Sequence, residues 1–183
     1  MDTNRLSNTI AKALNDQMTA EAHNAEIYLS YGAWASEKGY DGIANFLFRH
    51  SAEERNHMMK ILEYILKRGG KVVVSAIPAP GPDPKSVSDC FQKVFKSEVQ
   101  NTASIYNLVN LSMAEKDWAT WNFMQWFVKE QTEEETMAMD LLAKVKIAGG
   151  DAAKDDALYA LDNDLAKMPD DAKLAQDTTV DNP

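Results

Sequence analysis

His50-Ser51-Ala52-Glu53-Glu54-Arg55-Asn56-His57 lies in the middle of a run, Ile43 to Leu66, whose apolar residues recur at helical spacing. Glu54 and His57 are three apart, so on an α-helix their side chains are neighbours on one face. Imidazole suits iron, copper or zinc, and carboxylate suits harder cations, so the pair fits a divalent transition metal. Alone, a Glu and a His at this spacing are ordinarily a solvated surface pair. Their meaning depends on what other helices carry at the same depth.

Upstream of that stretch, Leu6, Ile10, Ala13, Leu14, Met18, Ala25, Tyr28, Leu29 and Trp34 predict one long helix from Arg5 to about Glu37. At 1.5 Å per residue it would measure ~45–50 Å. Gly39 ends it, and Asp41 is the expected N-cap of the helix that carries the quoted stretch, from Gly42 to about Arg68, stopped by Gly69-Gly70. Downstream, Lys71 to Lys85 contains Val72-Val73-Val74 and prolines at 78, 80, 82 and 84. Alternate prolines forbid a helix, and the valines have no second strand to pair with, so this segment reads as a long crossover. Ser86 and Asp89 resemble a capping box that opens a third helix, to about Glu115. Asp117 is placed to cap a fourth, which runs to Ala148 and stops at Gly149-Gly150. A short fifth helix, Asp155 to Lys167, carries Leu158, Leu161 and Leu165 on one face; a closed four-helix core has no room for it, so subunit contacts are its expected place. The predicted fold is all-α: a four-helix bundle over residues 1–168, with a long crossover between helices 2 and 3 and a short C-terminal fifth helix. Residues 169–183 read as an acidic, mobile tail.

Composition narrows the function classes. A chain of 183 residues, 45% hydrophobic and 26% charged, supports one soluble domain with a sizeable core. Its one cysteine, Cys90, excludes a disulfide framework or a four-cysteine metal site within a single chain. The net charge of −9 argues against a nucleic-acid partner and favours cations, with nine Asp against three Lys after residue 150. Met-Asp-Thr-Asn-Arg has no apolar run behind it, and no stretch approaches the roughly 18 apolar residues of a membrane span. A cytoplasmic protein without a membrane partner is the expectation.

Carboxylates recur at matching depths. Glu21 shares the apolar stripe of the first helix, Glu98 lies about a third of the way along the third, and Glu130, Gln131, Glu133 and Glu134 lie near the middle of the fourth. Taken singly, each has a plainer reading: a solvated acidic face at 130–135, a surface glutamate at 98, core aromatics at Tyr28 and Trp126, core filler in the methionines, and hydrogen-bonding histidines at 23 and 50. Several carboxylates buried at one level need a counter-charge. Two divalent ions would supply it, with Glu54 between them and His57 giving nitrogen to one.

The words Leu14-Asn15-Asp16-Gln17-Met18 with Glu21, His50 to Met58, and Asn122 to Glu135 resemble the prokaryotic non-haem ferritins, and the similarity runs in order from about Leu6 to Leu165. That resemblance implies a di-iron ferroxidase centre inside each subunit. One iron would be held by Glu21, Glu54 and His57, the other by Glu54, Glu98 and Glu134, with Gln131 close by, Tyr28 hydrogen-bonding at the centre and Trp126 near it. A third iron site maps onto Glu53, Glu130, Glu133 and Glu134. It further implies oxidation of Fe(II) by O2, a hollow shell of 24 subunits and storage of Fe(III) as an oxyhydroxide mineral, released by some reductant. Bacterioferritins repeat Glu-x-x-His on a second helix and ligate haem through a methionine directly after the bridging Glu. Met137 breaks the repeat and Arg55 stands at the haem position, so no haem is expected. The rival readings are a non-catalytic shell subunit, a metal-free helical interaction module, and a di-manganese or other di-iron oxidase on the same bundle.

Overall fold

Capping chemistry sets most helix boundaries. The computed structural model describes residues 3–168. Its elements are α1 (Asn8–Glu37), α2 (Asp41–Lys67), α3 (Val87–Ala114), α4 (Trp118–Ala148), one 3-10 turn (Gly150–Ala152) and α5 (Asp155–Ala166), with no strand among the described residues. The acidic segment 169–183 lies outside them. Ser7 Oγ accepts from Ile10 N at 3.1 Å, so α1 opens at Asn8, three residues later than the apolar spacing suggests. Ser86 Oγ accepts from Asp89 N at 3.0 Å, and the Asp89 carboxylate accepts from Lys85 N at 2.8 Å, a reciprocal cap displaced by one residue from the usual box. Asp117 caps α4 through Thr120 N at 3.1 Å. Gly149, at φ 116, ends α4 in the left-handed region.

α2 departs from expectation. Asp41 is its first residue rather than its cap, and Tyr40 at the cap position offers no side-chain acceptor. The acceptor comes from the far end of the chain: Asp162 Oδ1 takes the Ile43 N–H at 2.8 Å. That docking needs a close approach, and a Cβ on Gly42 would lie 1.9 Å from the Asp162 carbonyl oxygen. α5 therefore packs on its own bundle. Leu161 and Leu165 are buried in the cluster shared with α2 and α4, and Leu158 packs at its edge. The expectation that this face serves subunit contacts is corrected accordingly; α5 closes one end of its own subunit.

The crossover carries no helix or strand, as the prolines require. Asn15 on α1 pins it at two points, donating to the Lys71 carbonyl at 3.1 Å and accepting from Val73 N at 2.6 Å. Farther along, His23 Nε2 lies 3.3 Å from the Ala79 carbonyl oxygen.

α1 packs mainly on α2 and α3 on α4, with α1 also touching α3. The apolar core divides into two clusters. Ile10, Leu14, Ile61, Ile65, Ile105 and Phe127 fill one end, and Trp34, Ile43, Leu47, Phe91, Leu141 and Leu165 fill the other. Full burial of each such side chain contributes about 1.5–3 kcal/mol, so the two plugs supply the cohesion of the bundle. Between them lies a belt of buried polar side chains from all four long helices. Leu29, grouped with the first helix's apolar stripe by spacing, is exposed on the subunit, as are Val99 and Met113 on α3.

Candidate metal centre

The belt gathers Glu21 from α1, Glu54 and His57 from α2, Glu98 from α3, and Gln131 and Glu134 from α4, none more than 6% exposed. Helical periodicity puts them there, since each shares the face of its helix that carries the two apolar plugs. His57 Nδ1 lies 3.5 Å from Glu54 Oε2 and 4.0 Å from Glu21 Oε2. Ligand atoms of these three residues all fall within 4.8 Å of one another.

These contacts are not ion pairs. Burial, with Lys60 and His50 adding to it, lowers His57 to about 3, so the imidazole is neutral and has a lone pair to offer. The carboxyls are pushed the other way. Burial raises Glu54 well above its ordinary value, helped by the charges of Glu98 and Glu21. Burial likewise raises Glu134 well above it, with Glu98 and Glu53 adding. Glu21 is raised by burial against the bonds it accepts, and Glu98 rises to about 7 for the same first reason. Burial and mutual repulsion thus work in one direction on all four acids, disfavouring four charges at one level.

Hydrogen bonds divide the acids into two kinds. Glu98 Oε1 accepts from Tyr28 Oη at 2.7 Å, and Glu98 Oε2 from Gln131 Nε2 at 3.3 Å. Glu21 Oε1 accepts from Gln17 Nε2 at 2.7 Å and Oε2 from Asn101 Nδ2 at 3.2 Å. By contrast, Glu54 Oε2, Glu134 Oε2 and His57 Nε2 are buried without a hydrogen-bond partner. Each such orphan costs about 1–3 kcal/mol in an interior, and a cation would satisfy the carboxylate pair. Tyr28, pushed well above its usual range by burial and the nearby carboxylates, stays protonated and keeps donating. Oxygen donors with one neutral nitrogen suit iron, zinc or manganese better than a soft ion.

Two further groups adjoin the centre: Glu53, His57 and Glu130, and His50, Glu53 and Glu134. His57 Nε2 lies 3.9 Å from Glu130 Oε1, so one imidazole presents a nitrogen to each side. His50 Nε2 lies 3.9 Å from Glu53 Oε2. Spacing alone passes over His50 as a ligand candidate. The signal was present, since His50-x-x-Glu53 mirrors Glu54-x-x-His57. Glu133 is elsewhere: its side chain is exposed and sits 3.6 Å from Lys129 Nζ. It shares a face with Glu130 by spacing but is not brought to Glu53. Trp126 stands edge-on to His57, with ring centroids 5.4 Å apart, and Lys60 Nζ lies 4.1 Å over its ring. Arg55 is exposed.

A bundle of two antiparallel helix pairs joined by a long crossover, with a carboxylate belt through its middle, defines the ferritin-like class. The chain belongs to the ferritin family, whose ferritin-like domain matches residues 11–148. A probable bacterial non-heme ferritin-like protein of Haemophilus influenzae is 37% identical over 163 residues, covering 89% of this chain and 97% of its own. The bacterial non-heme ferritin of Campylobacter jejuni is also 37% identical, over 79% of this chain and 86% of its own. Among solved structures, an open pore ferritin from Archaeoglobus fulgidus superposes with a TM-score of 0.85 at 36% identity, covering 90% of this chain and 99% of that one. No described helix is long and apolar enough to cross a membrane.

Proposed function

We propose that this protein is a cytoplasmic iron-storage ferritin that oxidises Fe(II) with O2 at a di-iron centre inside each subunit and keeps the Fe(III) as mineral within a shell of 24. The observation that carries the reading is the pair of orphaned carboxylate oxygens on Glu54 and Glu134 beside a neutral His57, in a family of ferritins. One Fe(II) would take Glu21, Glu54 and His57, and the other Glu54, Glu98 and Glu134, with Glu54 shared. Each iron gives one electron to O2, which takes up two protons and leaves at the peroxide level. Carboxylates favour the ferric product, and burial between two apolar plugs holds the irons close while limiting water. Loading releases protons from the raised carboxyls, so Fe(II) affinity falls with pH. With Nδ1 facing Glu21 and Glu54, ligation there puts the imidazole proton on Nε2, toward Glu130.

Glu53 and Glu130, with Glu134 and His50 adjoining, support a third iron position beside the centre. Glu133 contributes to it only if its exposed side chain swings in. Haem binding is not part of this reading, because Arg55 offers no thioether at the position where bacterioferritins ligate haem.

Stopped-flow mixing of apo-protein with Fe(II) and O2 tests the proposal. Two Fe(II) per subunit oxidised in a fast first phase is the expected result. O2 uptake no faster than that of Fe(II) in buffer would leave a shell subunit without a ferroxidase centre.

A further inference from the structure

Behind the centre, on the α1–α3 side, three buried amides follow one another. Ser104 Oγ donates to Gln17 Oε1 at 2.5 Å. Gln17 Nε2 donates to Asn101 Oδ1 at 2.7 Å and, as noted, to Glu21. Asn101 Nδ2 donates to Gln131 Oε1 at 3.4 Å and to the other oxygen of Glu21. Gln131 Nε2 closes the series on Glu98 Oε2, with the Glu98 carbonyl and Thr102 Oγ1 also within reach. Every amide accepts at its oxygen from the one before and donates at its nitrogen to the next. Reversing any single one of them would break bonds on both sides, so the three orientations are set together by the network.

We propose that Gln17, Asn101 and Gln131 act as one directional chain of positioning residues that ties Glu21 to Glu98, so that the two metal positions are set jointly rather than one at a time. This rests on the metal-centre reading above and adds a coupling to it. None of the three needs to ligate iron for the chain to act. Glu21 belongs to one metal position and Glu98 to the other, and they sit on different helices. A hydrogen-bonded link between them runs through Asn101 and Gln131. Dipoles aligned head to tail polarise one another, so loss at one member weakens the next. A local alternative exists, in which each amide merely satisfies the carboxylate it touches. The two accounts differ at Glu98, to which Asn101 makes no hydrogen bond of its own.

Crystals equilibrated over a range of Co(II) concentrations, with anomalous occupancy read at each position, separate them. Wild type fills both positions. Asn101→Leu keeps the branching and heavy-atom count of the side chain while removing its polar atoms, and is expected to weaken both positions, by about tenfold each, the lower end of the effect usual for groups that orient ligands. Ser104→Ala removes the head of the chain without touching a carboxylate and is expected to weaken both by a smaller factor. Weakening confined to the Glu21 position in Asn101→Leu would overturn the coupling and leave local bonds. Unchanged occupancies in Ser104→Ala overturn it as well, and that variant decides the matter if Asn101→Leu does not fold. A wild-type protein that fills neither position would instead remove the metal-centre reading itself.

Discussion

Two halves of the belt face each other at one depth and are built differently. On α1 and α3, both oxygens of Glu21 and both of Glu98 accept hydrogen bonds from Gln17, Asn101, Tyr28 and Gln131. On α2 and α4, Glu54 and Glu134 each keep an oxygen with no hydrogen-bond partner, although they are as deeply buried. The difference separates preparation from demand. One side is already held by hydrogen bonds, and the other retains unsatisfied groups that a cation would complete. Fixed ligands reduce the ordering cost of binding, while orphaned ones raise the gain.

The largest effect should come from the open side. Glu54→Ala removes the group that the proposed centre shares between two irons, so the fast oxidation phase should fall by more than the ~10–100-fold typical of orienting residues. Helix content in circular dichroism should hardly change, because the substitution removes an acid from a crowded acidic cluster. A burst of wild-type size would leave the two halves chemically equivalent and break the comparison.

Next comes a control outside the belt. Leu165→Ala empties a fully buried position in the plug closed by α5 and should cost about 2–5 kcal/mol in chemical denaturation. Oxidation by the protein that remains folded should be near normal. Loss of the burst without loss of stability would show that the plugs tune the chemistry as well as holding the bundle together.

A pH comparison sharpens the contrast. A carboxyl whose folded pKa is raised contributes stability that is fully present below its unfolded value, near 4.5, and lost as pH rises through the folded value, about 7 for Glu98 and higher for Glu54 and Glu134 in direction. His57 runs the opposite way: its stability is present above 6.5 and lost as pH falls toward about 3. Glu134→Gln removes one raised carboxyl, so it should stabilise the empty protein at pH 8 more than at pH 5. The expected gain is a few degrees in Tm, roughly what 1 kcal/mol gives in a domain of this size. An equal shift at both pH values would mean that Glu134 ionises as an ordinary surface acid does.

The smallest effect marks the outer edge of the centre. Glu133→Ala should leave both the first burst and its recovery between additions unchanged, whereas Glu130→Ala should spare the first burst and slow the recovery. If Glu133→Ala matched Glu130→Ala, the exposed carboxylate would have to move inward when iron binds.

Most of the fold was legible because its signals are local. Periodicity of 3.6, prolines at alternate positions, and caps at Ser86, Asp117 and Gly149 act within a few residues. Asp41 was misread as a cap because the acceptor at that helix end, Asp162, is about 120 residues away in sequence and reaches it only through α5. The five ligand candidates Glu21, Glu54, His57, Glu98 and Glu134 lie at one depth by spacing, are singled out by the family resemblance, and are brought together in the belt. Glu133 and His50 exchange places. Glu133 shares a face with Glu130 but lies past the edge of the packed surface, and His50 follows its own three-residue spacing to Glu53 into the interior. Gln17 and Asn101 stand four before Glu21 and three after Glu98, a pattern that amide side chains share with many solvated helix faces. Only the packing of α1 against α3 gives them a direction.

Anaerobic soaking of crystals in Fe(II), followed by anomalous scattering at the iron edge, shows whether the belt holds two irons. Two iron peaks in each subunit, one on either side of Glu54 and within bonding distance of Glu21 with His57 and of Glu98 with Glu134, are the expected result. Iron confined to the Glu53–Glu130 side, or absent from the belt while bound at the surface, would contradict it.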